Sequence, residues 1–151
     1  MFLEIQMSDL YKKKIIIVED SEFSRLLIDV KLKNAGFTNT HLPLSSVEAW
    51  EQIAQAQLSD HPFDLVISDL NMPDLDGMDL LSKIKDDPMS EKLKVIIVSA
   101  DADKPIQNIA LSLGASAYVT KPFVPEELIK VVKAVLQGEE IPPIKGMFPA
   151  S

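Results

Sequence analysis

The chain contains no cysteine. A disulfide framework and a thiolate-ligated metal centre are therefore both excluded. The absence suits a cytoplasmic location, which is the expectation. Histidine is scarce as well: His41 and His61 are the two present. Neither has a partner at a recognisable metal-ligand or catalytic spacing, so both read as surface residues. Long apolar runs are missing. Those at 65–67 and 95–98 fall far short of the roughly 20 residues needed to span a bilayer. No membrane insertion is expected. Residues 1–10 carry Glu4 and Asp9 among apolar neighbours. They lack the basic start and long apolar core of a secretion signal. Positive charge is also short: 15 Lys and Arg face 23 Asp and Glu, a net charge of −8. The one dense basic block is Lys12-Lys13-Lys14. An acidic surface repels nucleic acid phosphates, so no direct nucleic-acid binding is expected. The plain reading of the charge is solubility.

What is present fits one folded domain. A chain of 151 residues can bury roughly 70% of its unfolded surface without a staple. Residues 1–12 read as an N-terminal extension, with Met1 and Met7 both open as the true start. Residues 13–138 read as the domain. Residues 139–151, holding Pro142, Pro143 and Pro149, read as a loose tail or the start of a linker.

Five short apolar runs alternate with segments of helical period. Ile15-Ile16-Ile17-Val18 is β-branched, as strands buried on both faces are. Ser21 to Ala35 follows, with Phe23, Leu26, Leu27 and Val30 at helical spacing and Gly36 just past its end. A weak strand is expected between Phe37 and Leu42. Ser45 and Glu48 predict a capping box for a helix carrying Val47, Trp50, Ile53 and Ala54. Phe63 to Ser68 is the third run. Asp76 can cap a helix with Met78, Leu81 and Ile84. Leu93 to Val98 is the fourth run. Pro105 suits a helix start and Gly114 its end. Ala117 to Val119 is the fifth run. Pro125 opens a last helix with Leu128, Val131, Val132 and Val135, closed near Gly138. Such alternation predicts βαβ units with right-handed crossovers and a largely parallel sheet.

In an open parallel sheet, ligands gather beyond the carboxyl ends of the strands. Glu19 and Asp20 follow the first run, Asp69 the third, Ser99 the fourth and Lys121 the fifth. If folded so, these residues converge on one rim. Three carboxylates in one cleft repel and call for a cation. Oxygen-only ligands suit magnesium. With one lysine beside the metal, the cleft would accept a phosphoryl group, and Asp69 would be the nucleophile.

The stretches Val18-Glu19-Asp20, Ser68-Asp69-Leu70-Asn71-Met72-Pro73-Asp74-Leu75-Asp76-Gly77, Val98-Ser99-Ala100 and Tyr118-Val119-Thr120-Lys121-Pro122-Phe123 carry a resemblance. In this order, over about Lys14 to Gln137, they resemble the response-regulator receiver family. The resemblance implies a flavodoxin-like, doubly wound, five-stranded parallel sheet in the order 2-1-3-4-5 with five helices. It implies Asp69 as phosphoacceptor and Asp20 as direct magnesium ligand. Glu19 would act on the metal through water, and Asn71 through its backbone carbonyl, with manganese able to substitute. Lys121 would pair with Asp69 at rest and with the phosphoryl oxygen afterwards. Ser99 would move to bond that oxygen, and Tyr118 would turn inward behind it. The Lys121–Pro122 bond would be cis. Asn71 and Asp101 would tune dephosphorylation. Glu19 departs from the family's commoner Asp, which puts metal geometry in question.

The implied donor is a sensor histidine kinase or a histidine phosphotransfer protein. The implied output runs through a face made by the Asp101–Leu113 helix, the fifth strand and the last helix. That face would bind an effector protein, transmit to an output domain, or pair two copies of the chain. Both a stand-alone receiver and the receiver of a longer regulator stay open.

Plainer readings exist for each residue. Asp69 could cap a turn, Asp20 a helix, and Ser99 could serve a strand-end bond. Tyr118 and Trp50 could be core. A phosphatase would share the aspartyl phosphate but needs a second acid, which no motif places. A constitutive binding module would need none of the acceptor, metal and lysine positions, yet all are filled. Asp74-Leu75-Asp76-Gly77 imitates a haloacid-dehalogenase-type opening, but the strand has already ended at Ser68. The calcium-loop reading from Asp69 fails at Pro73, which has no side-chain oxygen.

Overall fold

Every residue of Ile15–Val18 and Leu65–Ser68 is buried, and these two runs lie side by side at the centre of a parallel sheet. The computed structural model describes residues 7–142. Met1, Pro143 and Pro149 lie outside the described residues. The strands are β1 (Ile15–Val18), β2 (Thr40–His41), β3 (Leu65–Ser68), β4 (Lys94–Ser99) and β5 (Ala117–Thr120). The helices are α1 (Met7–Leu10), α2 (Glu22–Ala35), α3 (Ser46–Gln57), α4 (Gly77–Asp86), α5 (Lys104–Ser112) and α6 (Pro125–Gln137). The strand order is β2-β1-β3-β4-β5, all parallel, as the resemblance implies.

The pleat sends alternate side chains to opposite faces. Ile16, Val18, Val66, Val95 and Ile97 join the core beneath α3, α4 and α5. Ile15, Ile17, Leu65, Ile67, Ile96 and Val98 join the core beneath α2 and α6. Both layers seal the sheet, so polar residues at its carboxyl edge are held by strands that cannot slip register without burying charge.

Local chemistry sets the helix ends. Ser21 Oγ accepts from Ser24 N, Ser45 Oγ from Glu48 N, and an Asp76 carboxylate oxygen from Asp79 N. Each satisfies an orphan donor of the first turn. The expected capping box is one residue wider than drawn: Glu48 accepts from the backbone of Leu44, before the cap, at 3.4 Å. Gly36 ends α2 in the left-handed region at φ 114°, where a side chain would be strained.

Several expectations are corrected. There are six helices among the described residues, not five, because Met7–Leu10 forms a short one. Leu10, assigned to the extension at 1–12, is wholly buried, and Tyr11 meets Phe37 edge-on at 5.0 Å. The second strand shrinks to Thr40–His41. Phe37, expected in it, turns into the core instead. The buried face of α2 is Ile28, Asp29 and Leu32, whereas Phe23, Leu26 and Val30 are exposed. In α3, Ala49, Ile53 and Ala56 are buried while Val47 faces out. His41 is half-buried, its ring 5.2 Å from that of Phe63.

Candidate functional site

The carboxyl ends of β1, β3 and β5 bring Glu19, Asp69 and Lys121 within hydrogen-bonding reach. Lys121 Nζ donates to Glu19 Oε2 at 2.7 Å and to Asp69 Oδ2 at 3.0 Å. These partners lie 102 and 52 positions away in sequence. Each carboxylate is fixed on its other oxygen by backbone. Ser21 N donates to Glu19 Oε1 at 3.0 Å, and Asn71 N to Asp69 Oδ1 at 3.2 Å. The side chains of Glu19 and Asp69 are only 3% and 11% exposed. The Lys121–Pro122 bond is cis, as expected. Asp20 is exposed and makes no hydrogen bond or ion pair among the described residues. A cavity of about 60 Å³ opens beside it, lined by Glu19, Asp20, Ser45, Met72, Pro73 and Asp74 among others.

Burial raises the Glu19 pKa from its usual 4.5, against the bonds from Lys121 and Ser21; the Asp69 charge raises it further. Burial also opposes the Lys121 ammonium. The two carboxylates outweigh it, and the Lys121 pKa rises above 10.5. The lysine therefore stays charged through neutral pH, and its field is aimed at Asp69.

A family model described as the response regulator receiver domain matches residues 15–133. The chain belongs to the response-regulator receiver family. This receiver is 35% identical over 129 residues to the probable chemotaxis protein CheY of Rhizobium etli, covering 85% of this chain and 96% of that protein. It is 31% identical over 134 residues to the transcriptional regulatory protein GltR of Pseudomonas aeruginosa, covering 89% of this chain and 53% of that protein. Its fold matches the crystal structure of the phosphorylated cyanobacterial phytochrome response regulator RcpA. There the TM-score is 0.72 at 27% identity, covering 87% of this chain and 99% of that one.

Behind the acidic rim, this receiver holds a second polar group. Ser99 is fully buried at the end of β4, and its Oγ accepts from Asp101 N at 3.1 Å. Tyr118 is also buried, and its hydroxyl donates to the Asp101 carbonyl at 2.6 Å. The expectation had Tyr118 turning inward upon phosphorylation. In this structure it already points inward, because the Asp101 carbonyl offers its hydroxyl a part-buried acceptor.

Burial raises the Tyr118 pKa above its usual 10.0. A bond with Ser99 opposes the rise, and the charges of Asp101, Asp69 and Asp103 add to it. The folded value therefore exceeds the unfolded one. The stability this provides is complete below pH 10 and is lost as pH rises through the folded pKa. In a Tyr11→Phe variant, phenolate absorbance should report Tyr118 alone ionising above pH 10. Ionisation at or below 10 while the fold persists would contradict the buried geometry.

The donor chemistry of the rim fits a hard divalent cation. All candidate ligands are oxygen, Asp20 is free to turn, and the Asn71 carbonyl accepts no bond among the described residues. Yet no ready-made cage of three carboxylates or imidazoles stands among the described residues. Glu19 and Asp69 are turned onto Lys121 instead. The fit is thus one of donors brought to the same rim, with the ammonium as their present counter-charge.

Two contributors escaped the sequence reading. Arg25 donates to the Glu19 carbonyl at 3.3 Å, pinning the turn that carries the acidic pair. Gln107 is buried on α5; its Nε2 donates to the Ala102 carbonyl, and its Oε1 has no partner among the described residues. An Arg within a surface helix and a Gln within an amphipathic one carry no local signal of such roles.

Proposed function

We propose that this receiver is a phosphorylation-controlled signalling switch whose phosphoacceptor is Asp69. The observation that carries the reading is the shared bond of Lys121 to Asp69 and Glu19 at a rim where Asp20 stands free. An Asp69 oxygen forms a bond to phosphorus. The bond from phosphorus to the donor's imidazole nitrogen breaks, and that nitrogen takes up a proton. Lys121 stabilises the charge on the phosphoryl oxygens. Asp20, Asp69, the Asn71 carbonyl and, through water, Glu19 would hold a magnesium ion. When bound, the ion neutralises charge between the acceptor and the phosphoryl group; manganese would serve as well.

The donor is a histidine kinase or a histidine phosphotransfer protein. Once the phosphoryl group is in place, Ser99 leaves Asp101 N to donate to a phosphoryl oxygen. The loop carrying Asp101, and with it Tyr118, then settles in a different state. The face made of α5, β5 and α6 transmits this to an effector protein, an attached output domain or a second copy of the chain. Asn71, whose N–H donates to Asp69 Oδ1, and Asp101 tune the lifetime of the phosphate. The receiver catalyses its own phosphorylation and dephosphorylation and is not an enzyme on external substrates.

Incubation with magnesium and acetyl phosphate should add the mass of one phosphoryl group to the wild-type chain. Asp69→Asn should gain none, and removing the metal with a chelator should suppress the gain in wild type. Equal labelling of wild type and Asp69→Asn would defeat the assignment.

A further inference from the structure

We propose that Glu19 is a positioning residue that latches Lys121 in the resting state, so that cation entry and release of the lysine are one linked event. This rests on the function proposed above and specifies how its site is controlled.

The latch is built from both ends. Ser21 N holds Glu19 Oε1, which fixes the plane of the carboxylate. The other oxygen, Oε2, is left to face Lys121 and meets its ammonium at 2.7 Å, closer than the 3.0 Å to Asp69. The lysine is thus tied to one buried anion, Glu19, and one partly buried anion, Asp69, which a divalent cation would also seek. The third carboxylate, Asp20, is exposed and unengaged, so it offers the cation a first foothold at the mouth of the rim.

Chain length makes the latch possible. An Asp at position 19 would be shorter by one carbon–carbon bond, about 1.5 Å. That is enough to carry a hydrogen-bonded oxygen out of range of Lys121. The carboxylate would remain near the rim but free for a cation, and Lys121 would fall wholly to Asp69. With Glu19, an arriving cation must draw the carboxylate off the ammonium. In doing so it deprives Lys121 of one partner and releases it to meet a phosphoryl oxygen. By reciprocity, any anion that recruits Lys121 tightens the hold on the cation.

The test is a double-mutant cycle read by calorimetric titration with magnesium chloride, with no phosphodonor present. In the Lys121 background, Glu19→Asp should tighten magnesium binding about fivefold or more, the lower range of measured site couplings. In the Lys121→Met background there is no ammonium to compete, and the same change should leave affinity within about twofold. An equal effect of Glu19→Asp in both backgrounds, or weaker binding in the first, would overturn the latch. Urea melts of the four proteins identify any variant that fails to fold. For such a case, Lys121→Gln replaces Lys121→Met in the cycle. If wild type takes up no magnesium under these conditions, the functional reading itself falls, and the latch with it. If it binds magnesium but the cycle shows no coupling, only the latch falls.

Discussion

Gly77→Ala should sharply destabilise this receiver and should cost it the geometry of Asp69 as well. Gly77 opens α4, and its N–H donates to the Leu70 carbonyl at 2.8 Å. A methyl group there would overlap the Asp69 carbonyl oxygen. It would also stand 2.7 Å from Leu70 Cα and 2.9 Å from the Asp69 carbonyl carbon. These neighbours are backbone, so no side-chain rotation relieves the clash. Gly77 is needed for this close approach and not for an unusual φ. Overpacking typically costs about 1–3 kcal/mol. Against rigid backbone, and with the Leu70 bond stretched, a loss of about 3–4 kcal/mol is expected. For a chain of this size that lowers the melting temperature by roughly 10 °C. Urea denaturation measures the first quantity and calorimetry the second. Since the segment displaced is the one carrying Asp69, phosphoryl uptake from acetyl phosphate should fall even below the melting range. A variant within about 1 kcal/mol of wild type would show that α4 can move aside freely.

The sequence motifs led to the rim because its residues sit directly after the strand signals. Ile15–Val18, wholly β-branched, and Leu65–Ser68, with Val66 and Ile67 at its middle, are runs buried on both faces. A residue one step past such a run lands at the sheet edge whatever the loops do, so Glu19, Asp69 and Lys121 were legible as neighbours. The helix faces were less so. In α2, Phe23, Leu26 and Val30 form one apolar stripe and Ile28 and Leu32 another. Periodicity alone cannot choose between two such stripes; the choice follows from the direction in which the crossover packs on the sheet. The helix α1, at four residues, is too short for any periodic signal, and its one anchor, Leu10, is a single apolar residue in a mixed segment. The strand β2, at two residues, sits at the sheet edge with little burial to mark it.

Within the site, residue identity was legible and pairing was not. That Lys121 would pair with Asp69 was implied by the family resemblance. That Glu19 would hold it more closely depends on the extra reach of Glu over Asp and on the backbone donor of Ser21. Neither distance is written in a motif. The inward position of Tyr118 is likewise set by a carbonyl acceptor at Asp101, 17 residues away. A sequence names the groups able to bond, but the rotamer waits on the partner.

Lys121→Met should destabilise the fold by about 2–4 kcal/mol at neutral pH without divalent cations. Removing one member of a mostly buried ion pair leaves its partner uncompensated, and here two carboxylates are left. The side chain of Lys121 is itself 20% exposed, which keeps the loss below that of a fully buried pair. Its pH dependence follows from the two shifted groups. The Glu19 pKa is raised above 4.5 in the fold, and losing the ammonium removes an influence that lowers it. A carboxyl with a raised folded pKa favours the fold in acid, and that advantage is lost as pH rises through the folded value. The deficit of the variant should therefore be small in acid and grow as pH climbs through the folded pKa of Glu19. The Lys121 pKa is raised above 10.5 in wild type. Its contribution is complete below that value and lost as pH rises through the folded pKa, so the gap should close again in strong alkali. Urea melts across pH should trace a plateau between these limits. Magnesium should shrink the plateau, since a cation bound by the same carboxylates replaces the missing charge and stabilises the folded chain by mass action. A deficit that neither narrows in acid nor responds to magnesium would mean that Lys121 supports the fold through packing of its stem, and that the carboxylates do not depend on its charge.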